Sequence, residues 1–119
     1  IDQNSYVASS ASLEDGAQVF ANAFVGADAE VGSNAIINTG VIVSHDCSVG
    51  SHAHIAPGAM LAGHVEVGPR TLVGMGVTTA VGVRVGADAI VGNGAVINAD
   101  VPDGLIVLAG SVWPKVDKN

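Results

Sequence analysis

Large rings are almost missing from this chain: four aromatic residues, 3% of 119, stand against 49% apolar residues in all. An interior organised around Phe, Tyr and Trp is excluded, and the core has to be made of Val, Ile, Leu and Ala. Cysteine is as scarce. The lone Cys47 has no partner within the chain, which excludes an internally stapled secreted scaffold and leaves it as a small core residue. Only four basic residues (Arg70, Arg84, Lys115, Lys118) face eleven acidic ones, for a formal charge of −7. Nucleic acid and anionic membranes are therefore poor partners. Long hydrophobic runs are missing too, because Gly, Asn, Asp or Ser interrupts every few positions, and no segment reaches the ~18 residues of a membrane span. No secretory signal is visible, so a cytoplasmic location is expected. The first residue is Ile1 and not Met; the chain is expected to be a piece of a longer protein with something upstream.

What is present is a six-residue beat. From Val7 to Ile97 every sixth residue is Val, Leu or Ile, with Thr79 as the exception. Four residues after each beat stands a small or slender side chain, Ala in nine cases and otherwise Val, Cys or Thr. Gly follows the beat directly seven times. Such a period marks a parallel β-helix. The predicted fold is therefore all-β: a triangular prism with three hexads per turn, eighteen residues per coil and about five coils over 7–102. Each coil is unable to bury its own apolar face, so coils must stack and the ends must be capped. Residues 1–6 read as a polar lead-in. Residues 103–119 read as a tail, with Pro102, Asp103 and Gly104 marking where the beat stops and Leu105-Ile106-Val107-Leu108 capping the prism. No hexad carries an insertion, so there is no lid, and any active site must sit on the prism surface or between prisms.

The chemistry-bearing residues are few. The four histidines, His45, His52, His54 and His64, all take outward positions of the repeat within twenty residues of one another. His52 and His64 read as solvated surface residues. His45 differs because Asp46 follows it in the same corner turn. A carboxylate beside an imidazole stabilises the protonated ring, which suits a general base near neutral pH. Eighteen residues beyond His45 is Gly63, so a base and a backbone N–H on a residue without a side chain are expected one strand spacing apart. That is the arrangement acyl transfer needs, with the amide holding a developing oxyanion.

The stretch Val43-Ser44-His45-Asp46-Cys47-Ser48-Val49-Gly50, with His54-Ile55-Ala56-Pro57-Gly58-Ala59 and Leu61-Ala62-Gly63, resembles the nucleotide-sugar and sialic-acid acetyltransferases of bacterial glycan synthesis. The resemblance covers about residues 4–110. It implies a left-handed β-helix, an acetyl-CoA-dependent enzyme and a homotrimer, acting on a nucleotide-linked amino sugar or a sialic acid. Position by position, it implies that His45 is the general base, that Asp46 polarises it and that Gly63 donates its amide to the acetyl carbonyl. His54 matches a second histidine near the cofactor, Asn38 an asparagine on the acceptor side, and Met75 and Asn93 residues lining the pantetheine and nucleotide path. Met75 and Asn93 share one corner above Pro57, and His45 and Gly63 share another; two such corners of different prisms, facing each other in a trimer, would form one cleft. Three features differ from the family's pattern. His64 stands where Asn usually follows the carbonyl-binding Gly. Gly110-Ser111-Val112-Trp113-Pro114-Lys115 replaces the usual ending. The family's N-terminal α/β domain, which grips the nucleotide sugar, has no counterpart here.

The leading reading is direct acetyl transfer from acetyl-CoA to a sugar amine or hydroxyl, with no metal and no covalent intermediate, since no Ser or Cys is placed as a nucleophile. Two other classes stay open. One is a zinc enzyme like the carbonic anhydrases built on this helix, although the His spacings of seven, two and ten differ from theirs. The other is a non-catalytic trimeric scaffold; an ice-binding face would need a Thr ladder, which Thr39, Thr71, Thr78 and Thr79 do not make.

Overall fold

The computed structural model describes residues 1–116. Two-residue strands recur every six residues, from β1 (Tyr6–Val7), β2 (Ser12–Leu13) and β3 (Gln18–Val19) to β16 (Val96–Ile97), followed by β17 (Ile106–Val107) and β18 (Val112–Trp113). Every third strand falls in the same sheet and pairs in parallel with its neighbours. The sheet begun by β1 (sheet A) has seven strands, that begun by β2 (sheet B) five, and that begun by β3 (sheet C) six. The result is the parallel β-helix the beat predicts, consistent with the left-handed form.

Each strand's second residue points inward and its first outward, as the alternation of a strand requires. Inside, Val25, Ile37, Val43, Ile55, Leu61, Val73 and Ile97 stack in columns with Ala29, Ala35, Ala59, Ala89 and Ala95, all at most 1% exposed. The slender followers let the three sheets meet without a gap. Thr71 is the one buried polar residue among those described, and it is satisfied: its hydroxyl donates to Gly86 O at 2.6 Å and accepts from Ala89 N–H at 3.2 Å.

The corners explain the rest of the repeat. Three residues after the beat the backbone takes positive φ, held by Asn, Asp, His, Arg or Gly; Asp46 (59°) and His64 (60°) are two such positions. Asn and Asp tolerate this region better than most residues. The Gly directly after the beat has a different cause. A Cβ at Gly50 would lie 2.5 Å from Pro69 N, and one at Gly68 2.5 Å from Ala87 N, so the coils touch there backbone to backbone.

The prediction of about five coils falls short, because the solenoid makes about six turns. The beat does not stop at Pro102. One hexad is shortened to four residues, so Val101, four after Ile97, bridges to Val85. From there the beat resumes at Val107 and Trp113, pairing with Val91 and Ile97 at an offset of sixteen instead of eighteen. Residues 105–108 are thus a strand and its flanks. The Trp113 indole N–H donates to Asp100 O at 3.0 Å, tying the last strand to the shortened coil. Among the described residues no helix is long and apolar enough to cross a membrane.

Candidate active site

The outer faces of the three sheets differ sharply. Sheet A presents Tyr6, Phe24, Ile42, Met60, Thr78, Val96 and Val112 in one row, with Tyr6 and Phe24 stacked at 5.0 Å. Sheet C presents Gln18, Ile36, His54, Leu72, Ile90 and Ile106. Sheet B presents Ser12, Glu30, Ser48, Glu66 and Arg84. Two faces are mainly apolar and one is polar.

The His45–Asp46 pair lies at the corner where the chain leaves β7 (Ile42–Val43) of sheet A for sheet B. His45 Nδ1 is 3.0 Å from Asp46 Oδ2. An ionised carboxylate only accepts, so the bond places the proton on Nδ1 and leaves the Nε2 lone pair free. Nε2 is the atom nearest Gly63: a Cβ there would lie 2.7 Å from Nε2 and 2.8 Å from Cε1. Any side chain at 63 would occupy the space the imidazole fills. Among the described residues no acceptor takes the Gly63 N–H. One chain therefore brings the His45 imidazole beside Gly63, as the spacing of eighteen predicts. His64 sits one coil from Asp46, with Nε2 3.9 Å from Asp46 Oδ2 and its ring edge-on to that of His45 at 5.1 Å.

Sequence reasoning missed the part played by Thr79. Elsewhere in this column the amide after the beat bonds to a main-chain carbonyl of the next coil, as Ser44 N–H does to Leu61 O. At Ala62 the amide instead donates to the Thr79 hydroxyl at 3.0 Å. The pairing of β10 (Met60–Leu61) with β13 (Thr78–Thr79) accordingly keeps only Met60 opposite Thr78. The ladder opens next to Gly63. The signal was visible as the single break in the aliphatic beat.

The other predicted residues form a second group, on the far side of sheet A. Asn38 Nδ2 lies 3.1 Å from His54 Nε2 on sheet C. Asn93 Oδ1 accepts the Met75 N–H at 2.9 Å on the corner between sheets C and A. One chain therefore does not bring His45, Asp46 and Gly63 together with Asn38, His54, Met75 and Asn93. Nor do three histidines gather: the metal-compatible cluster among the described residues is His45, Asp46 and His64. Cys47 is no nucleophile. It is 1% exposed, its Sγ donates to Ala62 O at 3.0 Å, and burial pushes its thiol above the ordinary value.

Residues 28–63 match the family model of the bacterial transferase hexapeptide (six repeats), and residues 64–99 match that of the hexapeptide repeat of succinyl-transferase. Among solved structures, a His-to-Ala mutant of GDP-perosamine N-acetyltransferase from Caulobacter crescentus, in complex with CoA and GDP-perosamine, is 39% identical with a TM-score of 0.91 over 100% of this chain and 55% of its own. The acetyltransferase domain of PglB from Neisseria gonorrhoeae, in complex with acetyl coenzyme A, is 35% identical with a TM-score of 0.89 over 92% of this chain and 53% of its own. The UDP-N-acetylglucosamine O-acyltransferase of Moraxella catarrhalis, at 15% identity and a TM-score of 0.77 over 93% of this chain and 58% of its own, shares the fold. No curated protein matches the chain. The chain spans about half the length of these solved relatives. It belongs to the bacterial hexapeptide-repeat transferase family, with a β-helix of the kind found in that family's amino-sugar N-acetyltransferases.

Proposed function

We propose that the chain is the transferase domain of an acetyl-CoA-dependent amino-sugar N-acetyltransferase, with His45 as general base. The observation that carries this reading is the closeness of the His45 Nε2 edge to Gly63, whose N–H has no acceptor among the described residues. The amine nitrogen of the acceptor attacks the thioester carbonyl carbon, and His45 Nε2 takes the amine proton. Negative charge growing on the carbonyl oxygen is held by the Gly63 N–H, a donor fixed in place before the reaction. Collapse of the tetrahedral species breaks the C–S bond, and the imidazolium returns its proton to the departing CoA sulfur. Asp46 holds the imidazole in the tautomer that leaves Nε2 as acceptor and stabilises the imidazolium between the two steps. A buried, unreactive Cys47 is in keeping with direct transfer.

The remaining residues act across a subunit boundary in this proposal. Two unlike apolar faces on one prism suit heterologous contacts that close into a ring, with sheet A of one copy against sheet C of the next and polar sheet B outermost. A trimer of this kind gives the open His45 corner a second wall. Asn38 and His54 would then serve the acceptor and acetyl group, and Met75 and Asn93 the pantetheine arm. The acetyl-CoA and GDP-perosamine named for the solved relatives support the substrate class.

The test is thiol release from acetyl-CoA with nucleotide-linked amino sugars and the matching hydroxy sugars. CoA is expected to be released with amines in a ratio of one per amide formed. Release with hydroxy sugars alone, or with no acceptor of either kind, would overturn the proposal.

A further inference from the structure

We propose that His45, Asp46 and His64 form a binding site for a divalent transition-metal ion, zinc above all, which inhibits acetyl transfer. The inhibitory consequence rests on the function proposed above; the binding does not. The three residues each offer a ligand atom, and these atoms all lie within 4.8 Å of one another. Asp46 Oδ2 is the centre of the set, 3.0 Å from His45 Nδ1 and 3.9 Å from His64 Nε2. Zn–N and Zn–O bonds of about 2.0–2.1 Å in a tetrahedron place neighbouring ligand atoms roughly 3.3 Å apart, so the observed spacings straddle the required one. Two imidazoles and one carboxylate are a donor set suited to zinc. The fourth position would go to water, as the corner is open: His45 and His64 are each 61% exposed and Asp46 42%.

The corner holds these groups without help from the ion. Asp46 and His64 occupy equivalent positive-φ positions in successive coils, at 59° and 60°. The His64 N–H donates to His45 O at 3.0 Å, and the Asp46 N–H to Ala27 O at 2.9 Å. The backbone beneath all three ligands is thus tied into the solenoid, and side-chain rotation is the freedom left to lose on binding. His64 is the residue that completes the set. With the Asn usual in the family at this position, no second imidazole would face Asp46.

The inhibition follows from the two nitrogens of His45. A metal on Nδ1 displaces the proton shared with Asp46, and the neutral ring must then carry its hydrogen on Nε2. Nε2 becomes a donor and is lost as a base. Asp46, now a ligand, no longer orients the ring for proton transfer. The ion is thereby an inhibitor, not a cofactor.

The experiment titrates chelator-treated protein with Co2+, read by its visible absorption, then adds Zn2+, and repeats both with His64→Asn. Zn2+ inhibition of thiol release and its reversal by chelator are measured in parallel. One Co2+ per chain with a tetrahedral-type spectrum, displaced by Zn2+, is expected. Loss of even an outer-shell partner costs about 10–100-fold in metal affinity, so His64→Asn, which removes a direct ligand, is expected to weaken both binding and inhibition at least about tenfold. Absence of a stoichiometric spectrum, or equal binding by both proteins, overturns the site. A protein that binds Co2+ as described but transfers no acetyl group overturns the proposed function alone. One that binds Co2+ as described yet transfers acetyl groups undiminished by Zn2+ overturns the inhibition, and one that transfers acetyl groups and binds neither ion overturns the metal site alone.

Discussion

Replacing His45 with Ala is expected to slow acetyl transfer by about 10²–10⁴-fold, the usual contribution of a positioned general base, while the fold and the assembly persist. The imidazole is 61% exposed and meets Asp46, Gly63 and His64. A surface substitution of this kind changes stability by no more than about 0.5 kcal/mol. Thermal unfolding and size-exclusion behaviour should match the unsubstituted protein, and affinity for acetyl-CoA should change little, because the ring acts on the proton and not on the cofactor's bulk. A variant retaining most of its rate would remove His45 from the mechanism. A variant that lost its assembly would assign His45 to packing.

Gly63→Ala is expected to be nearly as damaging, for a different reason. The added methyl would sit 2.7 Å from His45 Nε2, inside the contact distance of any real pair. The backbone at Gly63 lies outside the positive-φ region and accepts an L side chain, and the obstruction is the end of an exposed side chain. The imidazole therefore swings away and the coil stays folded. A misplacement of about 1 Å can cost about 10²-fold in rate, and here the displaced group is the base itself. The contrast is Gly68→Ala, whose methyl would meet the backbone of Ala87 at 2.5 Å and must disturb the stacking of coils. Loss of rate with an unchanged melting temperature for Gly63→Ala, beside a lowered melting temperature for Gly68→Ala, is the expected pattern. Equal melting losses in both would mean that Gly63 leaves space for the coil and not for the imidazole.

Much of this molecule was legible in the beat because a solenoid is nearly one-dimensional. Each residue's surroundings are set by its neighbours eighteen places away, so a period in sequence is a column in space. Val25, Val43 and Leu61 line up for that reason, and so do His45 and Gly63. The end of the helix was read wrongly because the period itself changed there. Val101 fits the slot of a slender follower by counting from Ile97, yet it acts as a strand residue opposite Val85. With two residues absent from that hexad, Val107 and Trp113 fell out of frame, and the run around Val107 looked like a cap. Gly104 and Gly110, both at positive φ three residues after Val101 and Val107, carried the corrected frame all along.

The site was legible in parts. Adjacent residues and residues one coil apart could be paired from spacing, which placed Asp46 and Gly63 beside His45. The hydroxyl of Thr79 reaching the Ala62 amide was marked in the sequence by the break in the beat alone, because a ladder normally spends its main-chain carbonyls there. The contact proposed between the His45 corner and the Asn38–His54 and Met75–Asn93 groups of another copy lies beyond any intrachain ruler. Its trace in the sequence is indirect: outward rows of Ile, Leu, Met, Val and Phe on sheets A and C, which a lone prism in water would have no reason to carry.

The most direct test of the His45–Gly63 corner is a crystal structure with acetyl-CoA bound. The acetyl oxygen is expected within hydrogen-bond reach of the Gly63 N–H, with His45 Nε2 facing the side from which an amine approaches the carbonyl carbon. An acetyl group bound at another corner, with His45 pointing into solvent, would contradict it.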